Sequence, residues 1–171
     1  MAQASGIERV YRGYVMLLRR LVVLLGIGAG AAVAAMVVLT SVDVVGRYFG
    51  HPVRGTYEII ELLGAVTIMG ALPYTKAIKG HVAVEFLYLR LPRLGKVILD
   101  TLMRLVVLGL FVFLTWRFVL YGRDLHASGE VTATLHWPIF WVPYWMAGCS
   151  AAVVLVTLYH LVHPGRRLMQ P

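Results

Sequence analysis

The stretch from Leu21 to Val42, LVVLLGIGAGAAVAAMVVLTSV, contains no charged side chain over 22 residues. A helix needs about 20 such residues to cross a hydrocarbon core roughly 30 Å thick, and Arg19 and Arg20 stand directly before the run. A secretory signal peptide is the alternative, but its apolar segment is shorter and a globular mature protein would have to follow. The run therefore predicts a retained membrane helix. A composition of 60% apolar and 14% charged residues predicts an integral membrane protein.

Three further segments have the length and apolar character of membrane helices. The second is free of charge only from Leu62 to Thr75, so a full crossing extends back to Tyr57 and includes two acids near one end. The third includes Arg117 near its predicted end, where a long side chain reaches the interface. The chain is thus predicted to be an all-α integral membrane protein, one domain over 1–171, with spans at about 21–45, 57–77, 97–121 and 138–162.

Lysine and arginine residues are distributed unequally between the two sides of this predicted bundle. The N-terminus, the second loop and the C-terminus carry eleven of them, whereas the other side carries four. The positive-inside rule therefore places both termini in the cytoplasm. In the second loop, residues 80–95 are too short and too charged to span, and they predict a short cytoplasmic interfacial helix. The residues that we single out in this segment are Gly80, His81, Glu85, Arg90 and Arg93.

Five charged residues lie between the first two spans, in the segment DVVGRYFGHPVRGTYEIIE. Asp43 and Arg47 are four apart and so occupy one helix face. Glu58 and Glu61 are three apart on the next helix, and the Gly and Pro residues between the pairs favour a tight reversal. We expect these four to form a structural charge network in which Arg47 bridges Asp43 and Glu61, while Arg54 at the loop tip stays hydrated. The alternative is a set of headgroup-level charges at helix ends.

Several functional classes are disfavoured by the residue pattern. The basic residues occur in small groups beside apolar runs, which argues against nucleic-acid binding. The single cysteine, Cys149, excludes an internal disulfide and a cysteine-based metal site, and no catalytic or phosphate-binding motif is present. We therefore predict no enzyme activity, metal or cofactor, and favour an accessory or scaffold subunit.

Two alternatives stay open. One is a cytochrome b-like electron carrier that binds haem between His81 and His160, both on the predicted cytoplasmic side. The other is a stand-alone small transporter, which would need polar or ionisable groups near the bilayer midplane. The acids of this chain all lie near the ends of the predicted spans, which argues against that second alternative.

A series of ordered segments carries a resemblance to a known family. The segments are DVVGRY at 43–48, YEIIE at 57–61, ALPYTKAIKGHVAVE at 71–85, LRLP at 89–92 and WPIFWVPY at 137–144. Over about residues 15–162 the chain resembles the small membrane subunit of tripartite ATP-independent periplasmic (TRAP) transporters, the DctQ-like family. The resemblance implies four membrane helices with cytoplasmic termini in the bacterial inner membrane. The residues at recurrent family positions are Asp43, Arg47, Glu58, Glu61, Gly80, His81 and Glu85.

The resemblance also implies two protein partners. A large TRAP membrane subunit would carry the substrate by an elevator motion, and a periplasmic substrate-binding protein would capture organic acids such as dicarboxylates or sialic acids. Transport would be driven by an ion gradient, usually of sodium, with the small subunit as a scaffold. We expect Arg54, Arg123 and Glu130 on the periplasmic face, where a binding protein could dock.

Overall fold

The computed structural model describes residues 2–78 and 93–162, and most side chains within 13–78 and 95–161. Each of its four helices contains a segment long and apolar enough to cross a membrane. No strand forms within the described ranges, where a single antiparallel bridge joins Val131 to Pro138. The predicted all-α fold with four spans is confirmed. The helices are α1 Ala2–Tyr48, α2 Thr56–Ala77, α3 Arg93–Ser128 and α4 Trp141–Val162.

The helices differ from the predicted spans mainly at their ends. α1 begins far before residue 21, and α3 continues seven residues beyond residue 121 to Ser128. Hydropathy marks where a chain leaves lipid, whereas a helix continues as long as its backbone bonds and packing support it. In the extension of α3, Leu125 is buried, and Gly122 lies against the ring of Tyr144 in α4. α4 begins at Trp141, three residues after the predicted start.

The helices are arranged in a row. α1 packs along α2, α2 along α4 and α4 along α3, with a smaller contact between α1 and α4. Half of the apolar window of α4 is buried inside the protein, compared with 6% of that of α3. Two inner helices, α2 and α4, are therefore flanked by α1 and α3, whose outer surfaces are open.

Along the helix axes, the row has two opposite ends, which we call the terminal end and the loop end. The terminal end is where α1 and α3 begin and α2 and α4 end, and it holds the main apolar cluster. The loop end is the opposite one, with the first loop at 49–55 and the third loop at 129–140. The cluster at the terminal end joins three helices through Leu18, Val22, Ala77, Val156 and Tyr159.

Small residues let α1 and α2 approach closely between the two ends of the row. A Cβ atom on Gly70 would lie 3.3 Å from both the Cβ of Ala29 and the carbonyl oxygen of Leu25. One turn away, Gly26 faces the ring of Tyr74, where a Cβ would meet Cδ2 at 3.3 Å. Contacts of this kind are how membrane helices gain packing energy, because lipid tails are as apolar as the side chains that they replace.

Candidate functional site: the charged loop end

Asp43 fastens the first loop to the last turns of α1. Its Oδ2 accepts a hydrogen bond from Nε of Arg47 at 2.8 Å, and its Oδ1 accepts one from the backbone N–H of Val53 at 3.0 Å. The carboxylate is 5% exposed, so both oxygens are used where little water reaches them. The hydroxyl of Thr56 donates to the carbonyl of Val53 at 3.0 Å. This bond joins the loop segment around Val53 to the start of α2.

The Arg47 guanidinium also contacts an aromatic ring. The guanidinium carbon lies 5.6 Å from the ring centroid of Tyr57, within the range of a cation–π contact. Its side chain remains about half exposed. Arg47 therefore connects the end of α1 to the first turn of α2 through a ring and not through a second carboxylate.

Glu58 fastens the third loop to α2. Its two carboxylate oxygens accept hydrogen bonds from the backbone N–H groups of Thr134 at 2.5 Å and Leu135 at 3.0 Å. Leu135 also packs over Gly55, where a Cβ would lie 2.5 Å from its Cγ. Gly55 has a φ of 75°, so the position excludes other residues on both conformational and steric grounds.

The third loop is itself an ordered turn. The N–H of Thr132 donates to the carbonyl of Trp137 at 2.9 Å, and the N–H of Trp137 donates to the Thr132 hydroxyl at 3.0 Å. His136 adopts a φ of 55° at the bend. The bridge between Val131 and Pro138 closes the base of the turn. Glu58 thus binds a preformed turn, and the first and third loops become one polar cap on the loop end.

The structure divides the predicted four-residue network in two. Asp43 and Arg47 form one pair with the first loop, and Glu58 binds the third loop instead. Glu61 is exposed, and within residues 2–78 and 93–162 its side chain makes no ion pair or hydrogen bond. The predicted bridge from Arg47 to Glu61 is not present. Instead, the Asp43 carboxylate accepts a bond from the Val53 amide, and the Arg47 guanidinium contacts the Tyr57 ring.

Arg54, Arg123 and Glu130 are all exposed at the loop end. In the described part of the chain, no ion pair or side-chain hydrogen bond joins any of the three to another residue, and the Glu130 carbonyl accepts a backbone bond from Ile139. Their exposure leaves them accessible to a partner, and the structure does not gather them into one cluster. Of the predicted interfacial segment, Gly80, His81, Glu85 and Arg90 lie outside the described residues, and Arg93 is the first residue of α3.

At the terminal end, His160 is buried in the last turn of α4. Its carbonyl oxygen accepts a hydrogen bond from the Arg104 guanidinium of α3. An arginine at the end of a helix satisfies a carbonyl that has no partner in its own helix and complements the helix dipole. His81, the predicted second haem ligand, lies outside the described residues. Among the residues described, no cluster of three or more His, Cys, Asp or Glu has a metal-binding arrangement.

Two of the contacts at the loop end could not be found from sequence. The Val53 amide on Asp43 is ten residues away, and the third loop is 76 residues or more from Glu58. Helical spacing relates residues on one helix, and neither bond is of that kind. The only local signal was the density of Gly and Pro in the first loop, which predicts a sharp turn but not its partners.

The described part of the chain has four helices suited to span a membrane, and the flanks of the row are open apolar faces. These features define a multi-pass membrane protein. The profile of the DctQ family, described as the DctQ component of tripartite ATP-independent periplasmic transporters, matches residues 36–167. The chain belongs to this family and is the small component of a TRAP transporter, a multi-pass protein of the inner membrane. The predicted resemblance is confirmed. No curated protein and no solved structure matches the chain.

Proposed function

We propose that this chain is the scaffold subunit of a TRAP importer that takes up organic acids with an ion gradient, sodium being the expected ion. The match to the DctQ family over residues 36–167 carries the proposal. Proteins of this family function with a large membrane subunit and a substrate-binding protein. In this proposal the large subunit moves the substrate, the periplasmic binding protein delivers it, and this chain holds the large subunit in the bilayer.

Three of the hydroxyl groups within the spans support a scaffold in preference to a carrier, whereas those of Thr67 and Ser150 are buried with no hydrogen-bond partner among the described residues. Thr40, Ser41 and Thr115 each donate to the carbonyl four residues earlier in their own helix, at 2.7–2.8 Å. A hydroxyl bonded in this way donates its single hydrogen to its own helix, so it has no donor left for an organic acid. A substrate carboxylate also needs cationic or N–H donors that converge on it, and the row of helices offers open flanks instead.

Reconstituted uptake tests the proposal. We expect proteoliposomes with this chain, the large subunit and the binding protein to accumulate a dicarboxylate or sialic acid when an inward sodium gradient is imposed. Omitting this chain should abolish uptake, and the isolated chain should bind no organic acid. Saturable binding or transport by the isolated chain would instead support a stand-alone transporter, and a haem absorption band in the pure chain would support a cytochrome.

The exposed charges at the loop end are proposed as docking positions for the binding protein. Arg54, Arg123 and Glu130 are accessible on the same end of the row, and charged rims steer association more than they add affinity. Charge reversal by Arg54→Glu should therefore raise the binding-protein concentration needed for half-maximal uptake without changing the maximal rate. The matched control is Glu61→Arg, an exposed acid within α2. Equal concentration dependence for both variants and the parent would dismiss Arg54 as a docking position.

The proposed orientation places both termini in the cytoplasm, following the excess of basic residues on that side. In whole cells, an impermeant thiol reagent should label Ala127→Cys, an exposed position at the loop end, and should not label Gly165→Cys near the C-terminus. The native Cys149 is buried and should stay unlabelled in both. The reverse labelling pattern would place the loop end in the cytoplasm.

A further inference from the structure

α3 carries one charged side chain between Arg104 and Arg123, and it is Arg117. The sequence places it near the end of a span, where a long side chain reaches the interface. In the structure α3 continues to Ser128, so Arg117 lies about 16 Å from that end and about 20 Å from Arg104 at 1.5 Å per residue. It therefore lies well within the helix and not in its last turn.

Neighbouring contacts give the depth of Arg117 independently. Gly122 packs against Tyr144, which lies in the first turn of α4. Tyr121 and Tyr144 are exposed at this level, as is typical of the aromatic belt where lipid meets water. Arg117 is five residues, or about 7 Å, deeper than Gly122, and therefore lies below the belt.

The side chain of Arg117 is exposed and, in the described part of the chain, makes no hydrogen bond or ion pair. It lies on a continuous open face of α3 at helical spacing. The apolar members of this face are each more than half exposed: Val106, Leu110, Phe113 and Tyr121. A cation on a lipid-facing surface at this depth is costly, and such residues are paired with an acid or with carbonyl groups when a neighbouring helix supplies them.

A lipid headgroup phosphate is a poorer partner for the Arg117 guanidinium than a carboxylate at the same depth in the membrane. The Cα–Cβ bond of a helical residue tilts toward the N-terminus of its helix. For Arg117 this is away from the nearer end of α3, so its side chain must turn back on itself to reach the closer headgroups. α1 offers no equivalent position, because its open face carries no charge from Leu21 to Val42.

We propose that the face of α3 around Arg117 is the docking surface for a membrane helix of the large TRAP subunit, and that this helix presents an Asp or Glu carboxylate to Arg117 inside the bilayer. The inference rests on the proposed assembly with a large subunit and adds the surface and the chemistry of the contact. The guanidinium supplies a planar fork of donors that matches a carboxylate. The flanking apolar residues exclude water and strengthen the pair.

Co-purification tests this surface with matched variants of the chain. Tagged chain is co-expressed with the large subunit, and the amount of large subunit retained per tag is measured over a detergent titration. Arg117→Leu should lower retention on the order of tenfold, in the range measured for polar contacts between membrane helices. Arg117→Lys should retain most of it, and Asp124→Leu, at an exposed charge on the same helix above the belt, should behave as the parent. Because Arg117 is exposed, the Leu variant should still fold with Cys149 unreactive to thiol reagents.

Four results separate the possibilities. Restored retention when Arg117→Glu is combined with Lys at one acid in a span of the large subunit would identify the pair. Equal retention by Arg117→Leu and the parent would overturn the docking surface and leave the assembly standing, whereas no retention by the parent would overturn the proposed function itself. The comparison is repeated in nanodiscs of phosphatidylcholine alone and with phosphatidylglycerol. A defect of Arg117→Leu only with phosphatidylglycerol would show a lipid headgroup as the partner and overturn the carboxylate.

Discussion

The two ends of the row are held together by different forces. At the loop end, carboxylates bind the backbone: Asp43 holds the Val53 amide, and Glu58 holds the amides of Thr134 and Leu135. At the terminal end, aliphatic side chains from three helices pack into one cluster around Val22 and Val156. Directed polar bonds predominate at the loop end and packing at the terminal end, where the Arg104 guanidinium also binds the His160 carbonyl.

This difference follows from what surrounds each end. Loops have backbone groups with no partner in a helix, and those groups need acceptors wherever water is scarce. Inside the bilayer the backbone is satisfied by the helices, and lipid already solvates apolar side chains, so fit between surfaces decides which helices associate. We therefore expect the loss of a buried polar partner to be the most damaging change at the loop end, and the loss of side-chain volume to be the most damaging change at the terminal end.

The largest effect is expected for Asp43→Ala. The substitution leaves the Arg47 guanidinium without its carboxylate and the Val53 amide without an acceptor, at a site that is almost fully buried. Thermal unfolding in detergent can be followed by the reactivity of Cys149, the single cysteine, which is buried in the folded chain. Asp43→Ala should lower the apparent midpoint and the yield of folded chain more than any other variant considered. Glu61→Ala, at an exposed acid without such bonds, should match the parent.

Equal midpoints for the Asp43 and Glu61 variants would mean that the charges at the loop end are hydrated and contribute nothing. The sequence alone predicted the pairing of Asp43 with Arg47, because spacing on one helix is readable from position. It did not predict that Glu58 and Glu61 have different environments. Which of two acids three residues apart meets the third loop depends on how α2 is rotated against the other helices, and that rotation is set by distant packing.

Helix order shows the same limit. The four spans are readable because each is a long apolar run, but length and hydropathy qualify α3 and α4 alike as membrane spans. Only the packing reveals that α4 is an inner helix and α3 an outer one. Gly70 and Ala29, which bring α1 and α2 together, belong to stretches that contain many other small residues, so composition could not single them out.

The next effect in size is expected for Gly46→Ala, also at the loop end. An added Cβ would lie 2.5 Å from the carbonyl oxygen of His51, while the His51 amide already bonds to the Gly46 carbonyl at 2.8 Å. The obstructing group is backbone and cannot rotate away, so we expect a loss of about 2–3 kcal/mol. Gly30→Ala, in open space on the same helix, should instead be neutral or stabilising by up to about 1 kcal/mol. Midpoints that shift in the same direction would contradict the close turn at Gly46.

At the terminal end, Leu18→Ala tests packing by shape. Leu18 is 3% exposed within the apolar cluster, whereas its neighbour Leu17 is 70% exposed. In a soluble core such a truncation costs about 2–5 kcal/mol, of which one part is the lost transfer of apolar atoms out of water and the other is the cavity left behind. In a membrane protein lipid already solvates the apolar atoms, so mainly the cavity contribution remains and we expect a loss of about 1–2 kcal/mol. Leu17→Ala should be within about 0.5 kcal/mol of the parent. If both variants unfold alike, the terminal end is not held by this cluster.

The smallest effect on global stability, and the most local, is expected for Glu58→Ala. Its two bonds hold one loop, and the turn within that loop keeps its own bonds between Thr132 and Trp137. The unfolding midpoint should therefore change little, while hydrogen exchange at the amides of Thr134 and Leu135 should become at least about tenfold faster, since those two amides lose their acceptor. Glu58→Gln keeps one carbonyl oxygen as an acceptor and should give an intermediate rate. Unchanged exchange in Glu58→Ala would mean that the packing of Leu135 over Gly55 holds the loop without the carboxylate, and the loop end would then rely on shape as the terminal end does.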